Sequence, residues 1–134
     1  MFKLDLSKTF KWPVKFAVVD GNGRQQAHEI KLDFKRVSAE ESKRLLADIQ
    51  QAEKDRKADE DEGIVLSPRE QVESEAGFLL QVVTGWDGVA DEAGNPIAFS
   101  RDNLIMLINA VPNLIGEIWS AFFTATSGGQ KRKN

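Results

Sequence analysis

Four contiguous carboxylates, Asp59-Glu60-Asp61-Glu62, form the densest group of potential metal ligands in the chain. A calcium loop spaces its ligands on alternate residues around a glycine turn. A contiguous run does not, and reads as a solvated charged surface. His28 is the single histidine, with no cysteine, second histidine or serine elbow to work with, and catalytic groups come as constellations. Gly21-Asn22-Gly23 resembles a phosphate loop only in its glycines, since it precedes a strand pattern and lacks the longer glycine spacing. Trp86-Asp87-Gly88 sets a carboxylate beside an aromatic wall, but no second polar group at a recognisable spacing completes a base or ligand set. The expectation is therefore no catalytic residues, no cofactor and no metal site.

Recognition is a different kind of chemistry, and Trp119, Phe122 and Phe123 suit it. Their spacing of three and four is that of a helix face, yet two adjacent phenylalanines cannot both enter one narrow core stripe. Aromatic residues dominate binding hot spots. These three are the candidate partner-binding residues, against the plainer reading that they pack as core.

The elements that must carry these residues follow from periodicity. Phe2, Leu4, Leu6, Phe10, Trp12, Val14, Phe16 and Val18 all fall on even positions with Lys3, Lys11 and Lys15 between them, the alternation of strands with one wet face. Ile30, Leu32 and Phe34 are even again. For both sets to face one core, paired residues must sum to an even number. A three-residue loop at Gly21–Gly23 satisfies this and pairs Phe16 with His28, Val14 with Ile30 and Trp12 with Leu32. Trp12, Val14, Phe16, Ile30, Leu32 and Phe34 then share one buried face, with Lys15 and Lys31 exposed. Pro13 lacks a donor and marks an edge strand.

At Ser38 the period changes. Ser38–Glu41 and Ser67–Glu70 are capping boxes, the second with Pro68 at the first helical position. Leu45, Leu46 and Ile49 give the first helix a narrow stripe. The acidic segment 53–66 reads as a solvated helix end or a linker, with Gly63 as the stop. Val72, Ala76, Leu79, Leu80 and Val83 form the next helix face. Gly85 would cap that helix, Trp86 plug the junction and Asp87-Gly88 turn the chain. After a second turn at Asp91–Asn95, Ile97 and Phe99 anchor the return and Ser100 caps a third helix. Pro112 breaks or restarts it.

The net charge of −3 is unevenly spread: residues 1–36 carry +4, residues 37–102 carry −9 and residues 103–134 carry +2. An acidic middle without a concentrated basic face disfavours nucleic acid. With no cysteine, disulfides and thiolate metal sites are excluded. No apolar run approaches the roughly 20 residues that span a bilayer, and MFKLDLSKTF alternates instead of forming a signal-peptide core. These features suggest a soluble cytoplasmic protein.

The sequence TFKWPVKF with its DGNG hairpin, KLDFKRVSAEE, and above all GWDGV…GNPIAFS…NL (Gly85–Val89, Gly94–Ser100, Asn103-Leu104) resembles the tail assembly chaperones of long-tailed bacteriophages. The order of elements covers most of residues 1–126. The resemblance implies a non-enzymatic protein that coats the long, aggregation-prone tape measure protein before the tail polymerises. It implies action in the host bacterial cytoplasm and absence from the mature virion. The partners it implies are the tape measure protein, with the major tail protein, a frameshifted longer form and a homo-oligomer as further candidates. No nucleic acid or membrane is expected. A structural tail or head–tail joining component is the alternative, and a small hydrolase built on Asp87 and the acidic run is a third.

The fold expected is α+β: an N-terminal antiparallel β-hairpin, of two strands or three, packed on about four α-helices. Residues 1–126 would form one domain, a hairpin region at 1–37 and a helical region at 38–126, followed by a disordered tail at 127–134. Gly85, Trp86, Asp87, Gly88, Phe99 and Ser100 are read as a structural connector between helices.

Overall fold

The even-position residues do set a hairpin register. In the computed structural model, which describes residues 1–127, β1 (Thr9–Val19) and β2 (Gln25–Lys35) run antiparallel. Trp12 faces Leu32, Val14 faces Ile30 and Phe16 faces His28. The Asp20 N–H donates to the Arg24 carbonyl at 2.8 Å, which leaves Gly21, Asn22 and Gly23 as the loop. Gly23 takes a φ of 79°, a conformation that costs glycine nothing. The Asp20 carboxylate accepts the Asn22 and Arg24 N–H groups at 2.8 and 3.0 Å. Those bonds, with one from Gln26, hold its pKa below the ordinary range, Arg24 contributing most.

Val14, Ile30, Leu32 and Phe34 are buried on the even face, while Lys15 and Lys31 are exposed. Trp12 and Phe16 are only half-buried: Phe16 lies toward the hairpin tip, and Trp12 borders an open hollow with Phe10 and Val37 at the other end of the hairpin. His28 lies there beside Phe16, with ring centroids 5.7 Å apart, and is exposed. Residues 1–7 share the parity of β1 but form no strand. The Arg36 N–H donates to the Lys8 carbonyl at 2.8 Å as the last rung. Beyond it β2 has ended and Ser38 already caps a helix, so among the described residues the segment has no strand to pair with.

The third strand comes from further along the chain. β3 (Val83–Asp87) pairs antiparallel with β2, giving the order β1-β2-β3 with β1, and its Pro13, at an edge. Here the structure corrects the sequence reading. α2 (Pro68–Leu79) stops before Val83, so Gly85 is a strand residue opposite Asp33 and not a helix cap. Val82-Val83-Thr84 is β-branched and suits a pleated surface better than a helix end. A side chain at Gly85 would place Cβ 2.7 Å from Asp33 Oδ2. That space lets the Asp33 carboxylate meet Lys11 Nζ at 2.8 Å, while the same ammonium reaches Asp87 at 3.0 Å. Lys11 thus ties β1, β2 and β3 on the solvent face, and both carboxylates raise its pKa, Asp33 first.

Trp86 enters the opposite face, buried, with its indole N–H donating to the Ile97 carbonyl at 2.7 Å and its ring edge-on to Phe99 at 5.1 Å. Gly88, at φ 94°, turns the chain into a small return loop closed by Ala90–Pro96 pairing and an Asp91–Asn95 turn. Ser100 then caps α3 (Arg101–Ala110), its hydroxyl accepting the Asn103 N–H at 3.1 Å. The stretch from Gly85 to Ser100 is therefore a strand and a braced return, where a helix–loop–helix link was expected.

Both capping boxes are present, at Ser38–Glu41 for α1 (Ala39–Asp61) and at Ser67–Glu70 for α2. Of the two readings of segment 53–66, the helical one holds as far as Asp61, and Gly63 at φ 82° ends it. α4 (Leu114–Thr126) turns 113° from α3 at the Pro112 break. The Asn113 side-chain amide donates to the Ala17 carbonyl at 3.1 Å and ties the start of α4 to β1. Phe34 lies at the centre of the core, 5.7 Å from Phe10 and 5.3 Å from Phe122. The tail expected over 127–134 lies, from residue 128 onward, outside the described residues.

Hydrogen bonds from Ser38 and Ser67, backbone first, hold Glu41 and Glu70 below their ordinary value of 4.5. A depressed folded-state pKa means these carboxylates stabilise fully above that value, and their contribution is lost as the pH falls below it. Urea unfolding should therefore show a fall in stability on the acid side of pH 4.5. The double variant Glu41→Gln/Glu70→Gln should flatten that fall. At neutral pH, Ser67→Ala should cost about 1 kcal/mol; no change would mean that α2 is held by packing alone.

Candidate partner-binding groove

α4 carries two apolar stripes side by side. Leu114, Ile118 and Phe122 follow a spacing of four and are fully buried. Ile115, Trp119 and Phe123 follow the same spacing one residue on, which rotates them by about 100° around the helix. This second stripe is only half-buried. The adjacent phenylalanines thus divide: Phe122 enters the core against Phe34, and Phe123 lies on the flank, its ring stacked on Trp119 at 5.9 Å. Phe122 was expected to face a partner, and the structure removes it from any surface. Trp119 and Phe123 keep the accessibility that role needs.

Trp119 and Ile115 line one side of a groove of about 360 Å³. Ile49 and Ala52 of α1, Leu66 of the α1–α2 connection and Phe78 of α2 complete its apolar lining, and Glu53, Arg56, Gln71 and Glu75 rim it. α1 fits this arrangement because its apolar stripe is too narrow to be core: only Leu45 is buried. Leu46 points to solvent, and Ile49, with Ala52 one turn on, faces a space that the described residues leave unfilled.

Polar residues fix the groove wall. Arg56 bonds Glu53 one turn back and Glu60 one turn ahead, the latter at 2.6 Å. These carboxylates, Glu53 first, raise the arginine pKa, so it remains charged. Glu75 has no ion-pair partner among the described residues, which leaves the rim acidic. Past Gly63, the sequence Ile64-Val65-Leu66 has exposures of 58, 64 and 36%, and Leu66 at its end lines the groove. Three consecutive exposed apolar residues beside an apolar groove make a contiguous patch, which marks interaction sites.

Other residues considered as sites are dispersed. Asp59 to Glu62 lie at the end of α1, with Glu60 turned to Arg56. Asp87 pairs with Lys11 on the opposite face of the sheet from Trp86. Among the described residues no three His, Asp or Glu side chains stand close enough to hold a metal ion. The sequence reading missed Phe78, Leu66, Ile49 and Ala52 as parts of one surface. A signal was present in Ile64-Val65-Leu66, an apolar run trapped between a helix stop and a helix cap with no element of its own.

The family model described as phage tail assembly chaperone matches residues 1–134. Comparisons with curated proteins and with solved structures find no match.

The two stripes of α4 should separate in stability measurements. Phe122→Ala should cost about 3–5 kcal/mol in urea unfolding, as for other buried aromatic truncations. Trp119→Ala removes only half-buried area and should cost about 1–2 kcal/mol. Equal losses would make the second stripe core and remove it from the groove surface.

Proposed function

This chain belongs to the phage tail assembly chaperone family, and we propose that its task is to bind the tape measure protein and keep it soluble until the tail polymerises around it. The observation that carries this reading is the groove between α1, α2 and α4, with its apolar lining of Ile49, Leu66, Phe78, Ile115 and Trp119. A long helical protein presents apolar side chains at three- and four-residue spacing, and grooves of this kind take such anchors. Covering those anchors removes from water the surface through which unassembled copies would aggregate.

No bond is made or broken on this reading. The chaperone works by complementarity, and the charged remainder of its surface keeps the complex in solution. The acidic rim favours a client helix whose apolar face is flanked by lysine or arginine, since opposite charges at a rim speed encounter and fix register. Release must come before or during polymerisation, so the protein acts in the host cytoplasm and leaves before the virion is complete.

Co-expression tests the proposal directly. The tape measure protein should be insoluble alone and soluble with this chain. Phe78→Glu and Trp119→Glu should each return it to the insoluble fraction while leaving the chaperone's own circular dichroism spectrum intact. Mass spectrometry of purified particles should find no stoichiometric copy of the chain. Solubilisation unaffected by both substitutions, or a fixed copy number in the virion, would refute this assignment.

A further inference from the structure

Residues 1–7 form the most exposed apolar segment described: Phe2, Leu4 and Leu6 are 83, 68 and 77% exposed. They alternate with Lys3 and Asp5, so in extended form the segment has one apolar and one charged face. Among the described residues nothing is placed to cover it. The last rung of the β1–β2 ladder is at Lys8, the Arg36 guanidinium holds the Ser7 carbonyl at 2.9 Å, and β2 ends there. Among the described residues Asp5 makes a local bond alone, accepting the Ser7 N–H at 2.8 Å.

The order of residues says what could cover it. Phe2-Lys3-Leu4-Asp5-Leu6 is complementary to itself when run antiparallel about Leu4. Phe2 then faces Leu6, Leu4 faces Leu4, and Lys3 faces Asp5, each unlike pair occurring twice across a two-fold axis. Directly paired residues share a face, so six apolar side chains gather on one side of the ribbon and two ion pairs on the other. A register shifted by two residues would break this match, setting Asp5 opposite Asp5 in one direction and Lys3 opposite Lys3 in the other. The free edge of β1 is a poorer acceptor, because Pro13 interrupts its donors. The ribbon also continues the parity of Phe10 and Trp12, beside an open hollow of about 390 Å³ that these residues line with Val37 and Ala125.

We propose that residues 2–6 of two copies pair as an antiparallel two-stranded ribbon, with Lys3 of each against Asp5 of the other, and that this arm joins the chaperone into a symmetric dimer. The interface is isologous, as a two-fold contact requires, and it lies on the arm, leaving the α1–α2–α4 groove of each copy to its client.

Charge reversal tests the register. Sedimentation equilibrium of the full chain should show a concentration-dependent dimer. Lys3→Asp and Asp5→Lys should each be monomeric, since each sets like charges opposite one another in both pairs. Mixing the two variants should restore a dimer, now a heterodimer, and the double variant Lys3→Asp/Asp5→Lys should dimerise alone. A wild-type chain that is monomeric at every concentration would overturn the proposal. So would a dimer that survives both single reversals, as an arm docked on β1 would give, or a mixture that stays monomeric.

Discussion

The sheet can accept one apolar stripe of α4, and α4 has two. Leu114, Ile118 and Phe122 fill the space over β1 and β2, with Phe122 against Phe34 at 5.3 Å. Once that contact is made, Ile115, Trp119 and Phe123 must lie on the flank, because a helix cannot turn two faces about 100° apart into the same narrow layer. The flank then needs neighbours. α2 supplies Phe78 and α1 supplies Ile49 and Ala52, and the three helices leave a groove between them. The surface available to a partner is thus a consequence of how the core is packed.

The two faces of the sheet divide the labour. The even face holds the core and sets the position of α4, to which the Asn113 amide adds a direct tie at the Ala17 carbonyl. The odd face is charged and open, and its principal feature is Lys11 held between Asp33 and Asp87. Lys11 and Asp87 are exposed and Asp33 is half-buried, and ion pairs this open to solvent contribute little stability. Their effect is on register: a β3 displaced by one residue would lose the Asp87 contact and carry Trp86 to the wrong face. The indole N–H bond to Ile97 and the edge-on contact with Phe99 then hold the return that delivers Ser100 to the start of α3.

Local rules in the sequence were sufficient for the hairpin, the caps and the break at Pro112. Parity and the loop together gave each β1–β2 pair: period two excludes every odd-sum register, and a three-residue turn at Gly21–Gly23 selects one of the even ones. The Ser-x-x-Glu boxes marked α1 and α2 because both partners of each box lie within four residues. β3 was not legible in this way. Val82 and Val83 continue the apolar spacing of α2, and only pairing with β2, some fifty residues earlier, makes them a strand. Gly85 is explained by Asp33 across the sheet, which no local pattern reveals. The same holds for the binding surface: the sequence singled out three aromatics on α4, but which phenylalanine turns inward depends on the angle at which α4 meets Phe34. The groove combines three helices and a connection, so its members have no common spacing.

The central claim is that the flank of α4, with α1 and α2, is where the client sits. Site-specific photo-crosslinking tests it most directly, using a benzophenone amino acid placed at Leu66 or Ile115 in the groove, and at Lys31 or Lys15 on the charged face of the sheet. With the tape measure protein co-expressed, irradiation should yield crosslinked complex from the two groove positions and none from the sheet positions. Crosslinks from the sheet face alone would contradict the account.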